Sequence, residues 1–509
     1  MQFSRRRFLE AATALAAAGP IAACRDSGSA GNAAESVSPT GWQDAVSMVA
    51  SMEDGDTTAL KLVNDAIYRL EQVNQRINAV ALPNFEKARE EAQAGTTGQL
   101  AGVPTVTKDN LMVEGMPYTQ GSRALKDYVA TETAPFAVAM QNAGLISIGR
   151  STLPEFGMTA TTEPVLTGIT RNPWDLDRST GGSAGGSAAC VASGVVPIAH
   201  ANDGGGSIRI PAAACGLVGL KPSRGRMFGH ETDDSATDLG VQGFVTRTVR
   251  DTAAGFHAAQ GGPLFPAAKL VIGPDERRLK IAGRLNRAGT DELPDGETQR
   301  VFEETMSLLA GMRHTVSIDD GRWIEPTIGD DFLDLWSYGA ALRVKSASEM
   351  ASIPEDADLT QYFEPLMLGM AKRGGSLSEA QRDGVVQRLE AFKDAYRARF
   401  EDVDVMVTPV LGQPAAPIGY ISPTAPYDAD SEQRLEAYAG YTGSENAAGL
   451  PAIALPVGMT SGNVPVSLQF IAGPGEEPML LALAYELEEK LRWYERKPAV
   501  WVGDEGITA

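Results

Sequence analysis

The chain has 509 residues, of which 43% are hydrophobic and 21% are charged, a composition typical of a globular protein with a large buried core. Its formal net charge of −21 excludes a surface that binds nucleic acid or an anionic membrane by charge. The 4 histidines and 3 cysteines show no metal-ligand spacing, so we expect neither a metal site nor a cofactor.

The N-terminal segment has the features of an export signal. Residues 4–9 (SRRRFL) are similar to the twin-arginine export motif, and a short Ala-rich apolar stretch follows. Gly19-Pro20 interrupts this stretch, which argues against a permanent transmembrane helix. The tetrapeptide IAAC, ending at Cys24, is similar to a bacterial lipobox; the alternative is plain cleavage without lipidation. We therefore predict a signal peptide over residues 1–23 and a periplasmic protein whose only membrane attachment is a lipid at Cys24.

Beyond this segment, helical and strand patterns alternate along the chain. Residues 24–40 are rich in Ser, Gly and Ala and predict a flexible tether, followed by one domain over residues 41–509. The alternation predicts an α/β fold with a central mixed, mostly parallel β-sheet covered by helices on both faces. Between about residues 328 and 385 the pattern weakens, and we expect an insertion that covers the substrate pocket. In chain order the predicted elements are a helix from Asp56 capped by Thr57 or Thr58, a strand over 103–107, a helix over 135–143, a strand over 145–148, a helix over 186–193, a strand over 195–199, a helix opened by Thr248, a strand over 280–282, a helix over 301–309, strands over 405–407 and 452–455, and a helix over 479–491.

Two serines in glycine-rich runs are the candidate catalytic residues. Ser183 lies in GGSAGGS and Ser207 lies in NDGGGSIRIP. Glycine permits backbone conformations and close approaches that other residues do not. The run of three glycines before Ser207 therefore offers several backbone N–H donors to an acyl group.

The segment 181–185 also matches the G-x-S-x-G pattern of the α/β-hydrolase nucleophile elbow. That fold requires a strand immediately before the elbow, and an acid and then a histidine after it. Residues 172–175 are turn-like, and none of His230, His257 and His314 lies in a supporting motif. We disfavour this interpretation.

Taken together, the motifs resemble those of the amidase signature family. VTKDN around Lys108, GGSAGGS around Ser183 and DGGGSIRIP around Ser207 have the order and spacing of that family's Lys, Ser and Ser. The resemblance extends over nearly all of residues 41–495. Further segments similar to family landmarks are LPEF at 153–156, DVMVTP at 404–409, GLPA at 449–452 and PVSLQ at 465–469.

The resemblance implies hydrolysis of an amide through a serine relay. Ser207 would be the nucleophile that forms an acyl-enzyme, and Ser183, which follows a cis peptide bond in the family, would pass the proton to Lys108. Lys108 must be neutral to act as the base, so burial must lower its pKa from the usual value of about 10.4. The alternative is a surface lysine paired with Asp109.

The family's supporting roles fall on the residues around Ser207. The N–H groups of Gly204, Gly205 and Gly206, with that of Ser207, would form the oxyanion hole. Asp203 is expected to accept backbone N–H bonds that hold the glycine loop, and Arg209 is expected to pair with a nearby carboxylate.

Three positions depart from the family pattern. Ala184 stands where a second serine is usual, Thr180 where a proline is common, and Gly204 where a bulkier residue is common. These departures remove a possible hydrogen bond and loosen two loops, but all three catalytic positions are retained. We expect Glu155 to be structural, and Cys190 and Cys215 to be buried structural thiols.

The predicted function is hydrolysis of a small-molecule carboxylic amide to a carboxylate and an amine or ammonia. The first alternative is a glutamine-hydrolysing subunit similar to an amidotransferase, which export from the cytoplasm disfavours. The second is a catalytically inactive binding protein, which retention of Lys108, Ser183 and Ser207 disfavours. The sequence does not name the amide.

Overall fold

The structure, a computed structural model, describes residues 42–230 and 234–502. The predicted signal peptide, Cys24 and the tether lie outside these residues. Within them, the helices are α1 (Ala45–Glu53), α2 (Ala59–Ile77), α3 (Phe85–Ala94), α4 (Pro135–Asn142), α5 (Gly185–Ala192), α6 (Arg209–Cys215), α7 (Val249–Ala259), α8 (Gly296–Gly311), α9 (Ile328–Met350), α10 (Pro365–Gly375), α11 (Glu379–Ala398), α12 (Ala429–Ala439), α13 (Gly443–Ala447) and α14 (Glu477–Leu491). The strands are β1 (Val80–Pro83), β2 (Pro104–Lys108), β3 (Ile146–Ser151), β4 (Arg171–Asn172), β5 (Asp175–Ser179), β6 (Ile198–Asp203), β7 (Val218–Lys221), β8 (Val241–Thr246), β9 (Lys280–Gly283), β10 (Thr315–Ile318), β11 (Val405–Pro409), β12 (Ala452–Met459) and β13 (Pro465–Ala472).

An eight-stranded sheet of order β10-β9-β11-β13-β12-β7-β8-β6 lies at the centre of the fold. Strand β9 pairs in parallel with β10 and β11, whereas all other neighbours in this sheet are antiparallel. The α/β class and the mixed sheet are confirmed, but the prediction of a mostly parallel sheet was wrong. Antiparallel neighbours need only a short connection, such as residues 460–464 between β12 and β13, and alternating helix and strand patterns do not reveal such hairpins.

A three-stranded sheet of order β1-β3-β2 carries Lys108 at the end of β2. Strands β2 and β3 are parallel, and helix α4 connects them, as parallel neighbours require. Strand β2 also lies against β6 of the large sheet. One contact between them is a hydrogen bond from the Thr105 hydroxyl to the Ile198 carbonyl at 2.9 Å. This contact brings Lys108 close to the loop that follows β6.

Side chains from the two faces of the large sheet enter separate cores. Along β12, Ile453 and Leu455 pack with side chains of α7, α8 and α14, whereas Ala454 belongs to the core that contains α5 and α6. This alternation is the two-residue period of a strand that is buried on both faces. Helices therefore cover both faces, as predicted. Cys190 and Cys215 are buried free thiols in the α5–α6 core.

The predicted helix starts at Thr58 and Thr248 are confirmed. Each side-chain oxygen accepts a backbone N–H of the first turn, from Lys61 in α2 and from Asp251 in α7. The carboxylate of Asp251 accepts the backbone N–H groups of Ala45 and Val46. These two hydrogen bonds join α7 to the start of α1. No helix in the described part of the chain is long and apolar enough to span a bilayer.

Candidate active site

Lys108 is the last residue of β2, and its side chain is fully buried where β2 lies against β6. Its Nζ lies 2.7 Å from Ser183 Oγ and donates to Asn202 Oδ1 at 2.6 Å, while its backbone N–H donates to His200 Nδ1 at 3.2 Å. Because side chains alternate along a strand, His200 and Asn202 extend from the same side of β6 toward Lys108. Asn202 was not predicted as a site residue, and its one sequence signal is its position directly before the Asp203 of the glycine-rich motif.

The electrostatic surroundings of Lys108 favour its neutral form. No carboxylate in the described residues forms an ion pair with it, because Asp109 pairs instead with Arg150 at 3.3 Å. The alternative of a surface Lys108–Asp109 salt bridge is therefore wrong. Burial lowers the pKa of Lys108 to about 7, with a smaller opposing effect from the charge of Asp203 and a smaller lowering effect from Arg343. A lysine with this pKa can accept a proton near neutral pH.

Ser183 lies between the β4–β5 hairpin and the start of α5. The Gly182–Ser183 peptide bond is cis, as the family resemblance implied. Gly182 has no room for a side chain, since a Cβ there would lie 2.5 Å from the Thr159 carbonyl oxygen. Our expectation that no strand precedes Ser183 was wrong, because β5 does. That strand belongs to an isolated two-stranded hairpin, however, and the partner of Ser183 Oγ is Lys108 and not a histidine.

The described histidines form neither a catalytic pair with a serine nor a metal site. His200 is fully buried, its Nε2 lies 3.0 Å from Gln242 Oε1, and burial lowers its pKa to about 3. It is therefore neutral at physiological pH. Across residues 42–230 and 234–502, no group of three His, Cys, Asp or Glu side chains is arranged to hold a metal ion.

Ser207 lies in the turn that connects β6 to α6. The carboxylate of Asp203 holds this turn by accepting the backbone N–H groups of Gly206 at 2.7 Å and of Ile208 at 3.2 Å. The predicted contacts of Asp203 are thus present. Ser207 retains 7% exposure and borders the cavities described below, so its hydroxyl is accessible to a substrate.

The prediction that Gly206 contributes to the oxyanion hole is contradicted by its hydrogen bonding. Its N–H is already donated to Asp203 Oδ1 and is not available to a substrate oxygen. In the described structure, the N–H groups of Gly204, Gly205 and Ser207 donate no hydrogen bond to protein, and Gly204 and Gly205 border the cavities on either side of Ser207. These three N–H groups remain the candidates for binding the oxyanion.

Arg209 anchors the catalytic turn to the rest of the fold. It is fully buried and forms ion pairs with Asp203 at 3.0 Å and with Glu445 of α13 at 2.9 Å. Two further side chains, Asn446 of α13 and Gln469 of β13, accept its N–H groups at 2.6 and 2.7 Å. Burial alone would raise the pKa of Asp203, but the charge and hydrogen bonds of Arg209 outweigh it and place that pKa at about 2. The predicted pairing of Arg209 with a carboxylate is present, whereas the sequence analysis assigned no role to Glu445, Asn446 or Gln469.

Two cavities of opposite character meet at Ser207. Beside the Gly182 and Gly205 backbone the walls are mostly apolar, and beside Ser183 and Gly204 they mix polar and apolar side chains; we call these the apolar and the polar cavity. The apolar cavity contains the side chains of Met158, Ile210, Ala288, Ile328, Phe332, Leu333, Trp336, Leu435, Ala439 and Ala447. The polar side chains that line the polar cavity are those of Asn110, Tyr118, Gln120, Asn202, Asp203, Thr237, Gln242, Tyr338 and Arg343, and Phe156, Leu239, Val241, Leu335, Trp336 and Leu342 supply its apolar part. A pocket with an apolar body and a few convergent polar groups is the usual form of a small-molecule site.

Helix α9 contributes residues to the walls of both cavities. Trp336 borders both of them, its indole Nε1–H donates to the Met158 carbonyl at 3.0 Å, and its ring stacks on Phe332 at 5.8 Å. Several residues of α9 thus border the pocket, while the covering role of the segment over 328–385 stays a prediction. That this segment is an insertion stays a prediction.

Glu155 lies next to the wall of the polar cavity and holds the surrounding segments together. It is buried, accepts the Ser122 hydroxyl at 2.6 Å and the Glu364 backbone N–H at 2.8 Å, and lies next to Phe156 of the polar cavity. Burial, followed by the nearby Glu364 carboxylate, raises its pKa to about 8. These contacts agree with the predicted structural role.

Comparison with known proteins assigns the chain to one family. The sequence model of the Amidase family matches residues 61–481. The chain is 37% identical over 458 residues to the putative amidase AmiC of Mycobacterium tuberculosis strain H37Rv, covering 88% of this chain and 95% of the relative. It is 32% identical to the 6-aminohexanoate-cyclic-dimer hydrolase of Paenarthrobacter ureafaciens, covering 90% of this chain and 96% of the relative. A solved structure of 6-aminohexanoate cyclic dimer hydrolase complexed with substrate is similar with a TM-score of 0.83 and 30% identity, covering 91% of this chain and 99% of that chain.

Proposed function

The chain belongs to the amidase signature family and is a hydrolase of carbon–nitrogen bonds, and on this premise we propose that it cleaves a carboxylic amide through an acyl-enzyme on Ser207. Ser183 and Lys108 are the proton relay. The observation that supports this relay best is the 2.7 Å distance between Lys108 Nζ and Ser183 Oγ at a fully buried lysine. Ser207 borders the same cavity as Ser183.

In the acylation step, Ser207 Oγ attacks the amide carbonyl carbon. Its proton passes to Ser183 Oγ as the Ser183 proton passes to neutral Lys108 Nζ, while Asn202 Oδ1 keeps Nζ in place. The N–H groups of Gly204, Gly205 and Ser207 bind the oxyanion, and each such donor contributes about 10²–10³ in rate in other acyl-transfer enzymes.

The tetrahedral intermediate then collapses and releases the amine. Ser183 donates a proton to the leaving nitrogen and regains one from Lys108, so that the carbon–nitrogen bond breaks and the acyl group stays on Ser207. In deacylation, a water molecule attacks the ester and passes its proton to the same relay, which returns a proton to Ser207 Oγ as the bond between Ser207 Oγ and the acyl carbon breaks. The products are a carboxylate and an amine or ammonia, and both serines and Lys108 return to their starting protonation states.

The apolar cavity is the proposed binding site for the acyl part of the substrate, which we expect to be apolar. Phe332 and Trp336 present stacked rings, and Ile328, Leu333 and Ala447 complete an apolar wall beside Ser207. Burying an apolar ring or chain of the substrate against this wall stabilises the complex by about 1.5–3 kcal/mol. Aryl and alkyl acyl groups are therefore preferred over small polar ones.

A panel of amides tests the proposed chemistry. Aryl, fatty, short aliphatic and peptide C-terminal amides are offered together with free glutamine, and product release is followed. Ser207→Ala and Lys108→Ala each lose at least about 10²-fold in kcat, the lower range for a missing acid–base group. Ser187→Ala, which removes a buried hydroxyl that borders neither cavity, is the matched control and retains turnover. Retained activity in Ser207→Ala contradicts the proposal.

The same panel separates the two alternatives. Release of ammonia from glutamine with no other amide cleaved supports a subunit similar to a glutamine-hydrolysing amidotransferase. Binding of amides without turnover in the folded wild-type protein supports an inactive binding protein. Cleavage of an apolar amide excludes both.

We further propose export and lipid anchoring, which the twin-arginine-like motif at residues 4–9 and the lipobox at Cys24 support. Expression of the full chain followed by membrane fractionation tests this. Wild type remains with the membrane, and Cys24→Ala is released into the periplasm. Membrane association that survives Cys24→Ala contradicts a lipid anchor at this residue.

A further inference from the structure

In the proposed mechanism, the leaving group of the substrate faces the polar cavity. Ser183, which donates the proton to the leaving nitrogen in the proposed mechanism, borders the polar cavity together with Asn202, whereas its side chain is absent from the walls of the apolar one. The oxyanion donors and Ser207 lie between the two cavities. The acyl group therefore extends into the apolar cavity and the amine part extends into the polar cavity.

Arg343 of α9 offers a positive charge to this polar cavity. It is an exposed side chain that borders the cavity together with Asp203, whose carboxylate pairs with Arg209, and no acidic side chain in the described residues lies within ion-pair distance of Arg343. Its one hydrogen bond joins Nη1 to the Gly339 carbonyl of the same helix at 3.3 Å. Surrounding protein lowers its pKa through desolvation, although it stays charged at neutral pH. In a chain with a net charge of −21, an arginine left without an acid beside the catalytic serines indicates an anionic ligand.

Tyr118 offers a second donor in the same place. It is 8% exposed, borders the polar cavity, and its hydroxyl has no hydrogen-bond partner in the part of the chain that the structure describes. The charge of Arg343 acts on its pKa, so the two side chains are electrostatic neighbours. The Tyr118 hydroxyl is open to the cavity, and a ligand oxygen between Tyr118 and Arg343 could accept its hydrogen bond.

We propose that the polar cavity binds a carboxylate on the leaving group, so that the preferred substrates are N-acyl amino acids or acyl peptides with an apolar acyl part. Arg343 binds the carboxylate through two N–H groups and Tyr118 donates a third hydrogen bond. The carbon–nitrogen bond breaks as described above, and the amine product is an amino acid. This inference rests on the proposed function, since it takes the direction of the leaving group from the Ser183–Lys108 relay.

The test compares two substrates that share one apolar acyl group, an N-acylglycine and the corresponding N-acylglycinamide. Wild type prefers the N-acylglycine by about 10–100-fold in kcat/KM, the range for a hydrogen-bonded charge pair. Arg343→Ala removes this preference mainly through KM, while Arg343→Lys restores part of it. Arg322→Ala is the control with the same change of charge, because Arg322 is an exposed arginine that borders neither cavity.

Binding in the Ser207→Ala background keeps this inference separate from the proposed function. Calorimetry of Ser207→Ala with the N-acylglycine gives tighter binding than with the glycinamide, and the Ser207→Ala/Arg343→Ala double variant loses the difference. Equal affinity for the two ligands overturns the carboxylate site even if the enzyme hydrolyses both. Preferred binding of the N-acylglycine without turnover in wild type supports the site and overturns the proposed function instead.

Discussion

At the scale of single residues, the chemistry depends on the surroundings of Lys108. Two buried lysines, Lys108 and Lys221, have pKa values lowered to about 7 by burial. Lys108 contacts Ser183 and Asn202, whereas Lys221 Nζ donates to the Pro222 carbonyl at 2.9 Å and borders neither cavity. Burial creates a potential base at both positions, and the contact with Ser183 distinguishes the catalytic one.

The lowered pKa of Lys108 predicts how activity depends on pH. The active form is neutral, so kcat/KM rises about tenfold per pH unit below pH 7 and becomes level above it. Lys108→Arg stays protonated and is inactive throughout. Initial rates between pH 5 and pH 9 measure the profile. Lys221→Met is the control. The protein that folds in this variant shows the same midpoint pH of kcat/KM as wild type. A profile that is flat from pH 5 to pH 8 contradicts Lys108 as the base.

Residue identities could be predicted only where a motif names them. Lys108, Ser183 and Ser207 lie in recognisable motifs, and Asp203 and Arg209 make the predicted contacts. Gly206 was wrongly placed in the oxyanion hole, because nothing in a run of three glycines indicates which N–H the preceding carboxylate accepts. Asn202 and Arg343 were missed for a different reason: their positions depend on which strand and helix lie beside the site.

At the scale of elements, Arg209 joins α6 to α13 and β13. Replacing it with Met leaves Asp203 and Glu445 buried without their cation. Breaking a buried ion pair on one side typically costs about 3–5 kcal/mol, so the free energy of unfolding falls by about that amount. Chemical denaturation measures the loss. Arg300→Met, which removes half-exposed pairs on α8, is the control and changes stability by less than about 1 kcal/mol. An equally small change in Arg209→Met contradicts the anchoring role.

The Glu155 contacts predict a pH-dependent link between the loop after β3 and α10. Burial and the Glu364 carboxylate raise the pKa of Glu155 to about 8, so the folded state binds a proton that the unfolded chain releases near pH 4.5. This contribution to stability is complete below pH 4.5 and is lost as pH rises through 8. Glu155→Gln therefore unfolds at a higher temperature than wild type at pH 8, but not at pH 5. Thermal unfolding at both pH values measures this.

The exposed Glu53→Gln substitution at the end of α1 is the control for Glu155→Gln. It removes one carboxyl group without changing a buried contact, so its unfolding temperature follows that of wild type at both pH values. A parallel shift of Glu155→Gln and wild type between pH 5 and pH 8 contradicts a raised pKa at Glu155.

Most individual elements could be predicted from their periodicity, but their arrangement could not. Helices α4 and α14 begin and end close to the predicted positions, and α2 and α7 begin at the predicted threonine caps, because each packs one face on a core. The helices over 328–398 were harder to recognise, since α9 also lines two cavities and its pattern mixes apolar, aromatic and polar residues. Strand direction in the large sheet was predicted wrongly, because pairing partners are distant in sequence.

At the scale of the whole molecule, the fold brings three separate segments to one place. Lys108 comes from the end of β2 in the small sheet, Ser183 from the residues before α5, and Ser207 from the turn after β6 of the large sheet. Contact between β2 and β6 aligns the first and third of these. Residues of helix α9 line both the apolar and the polar cavity beside them.

Covalent labelling tests most directly whether Ser207 is the nucleophile. The wild-type protein is treated with a fluorophosphonate carrying an apolar group, digested and analysed by mass spectrometry. The label is expected on the peptide that contains Ser207, at Ser207 itself, and it is absent from the Ser207→Ala variant. Lys108→Ala is expected to label much more slowly at the same residue. A label on Ser183 with Ser207 unmodified would contradict the relay and favour the nucleophile-elbow arrangement instead.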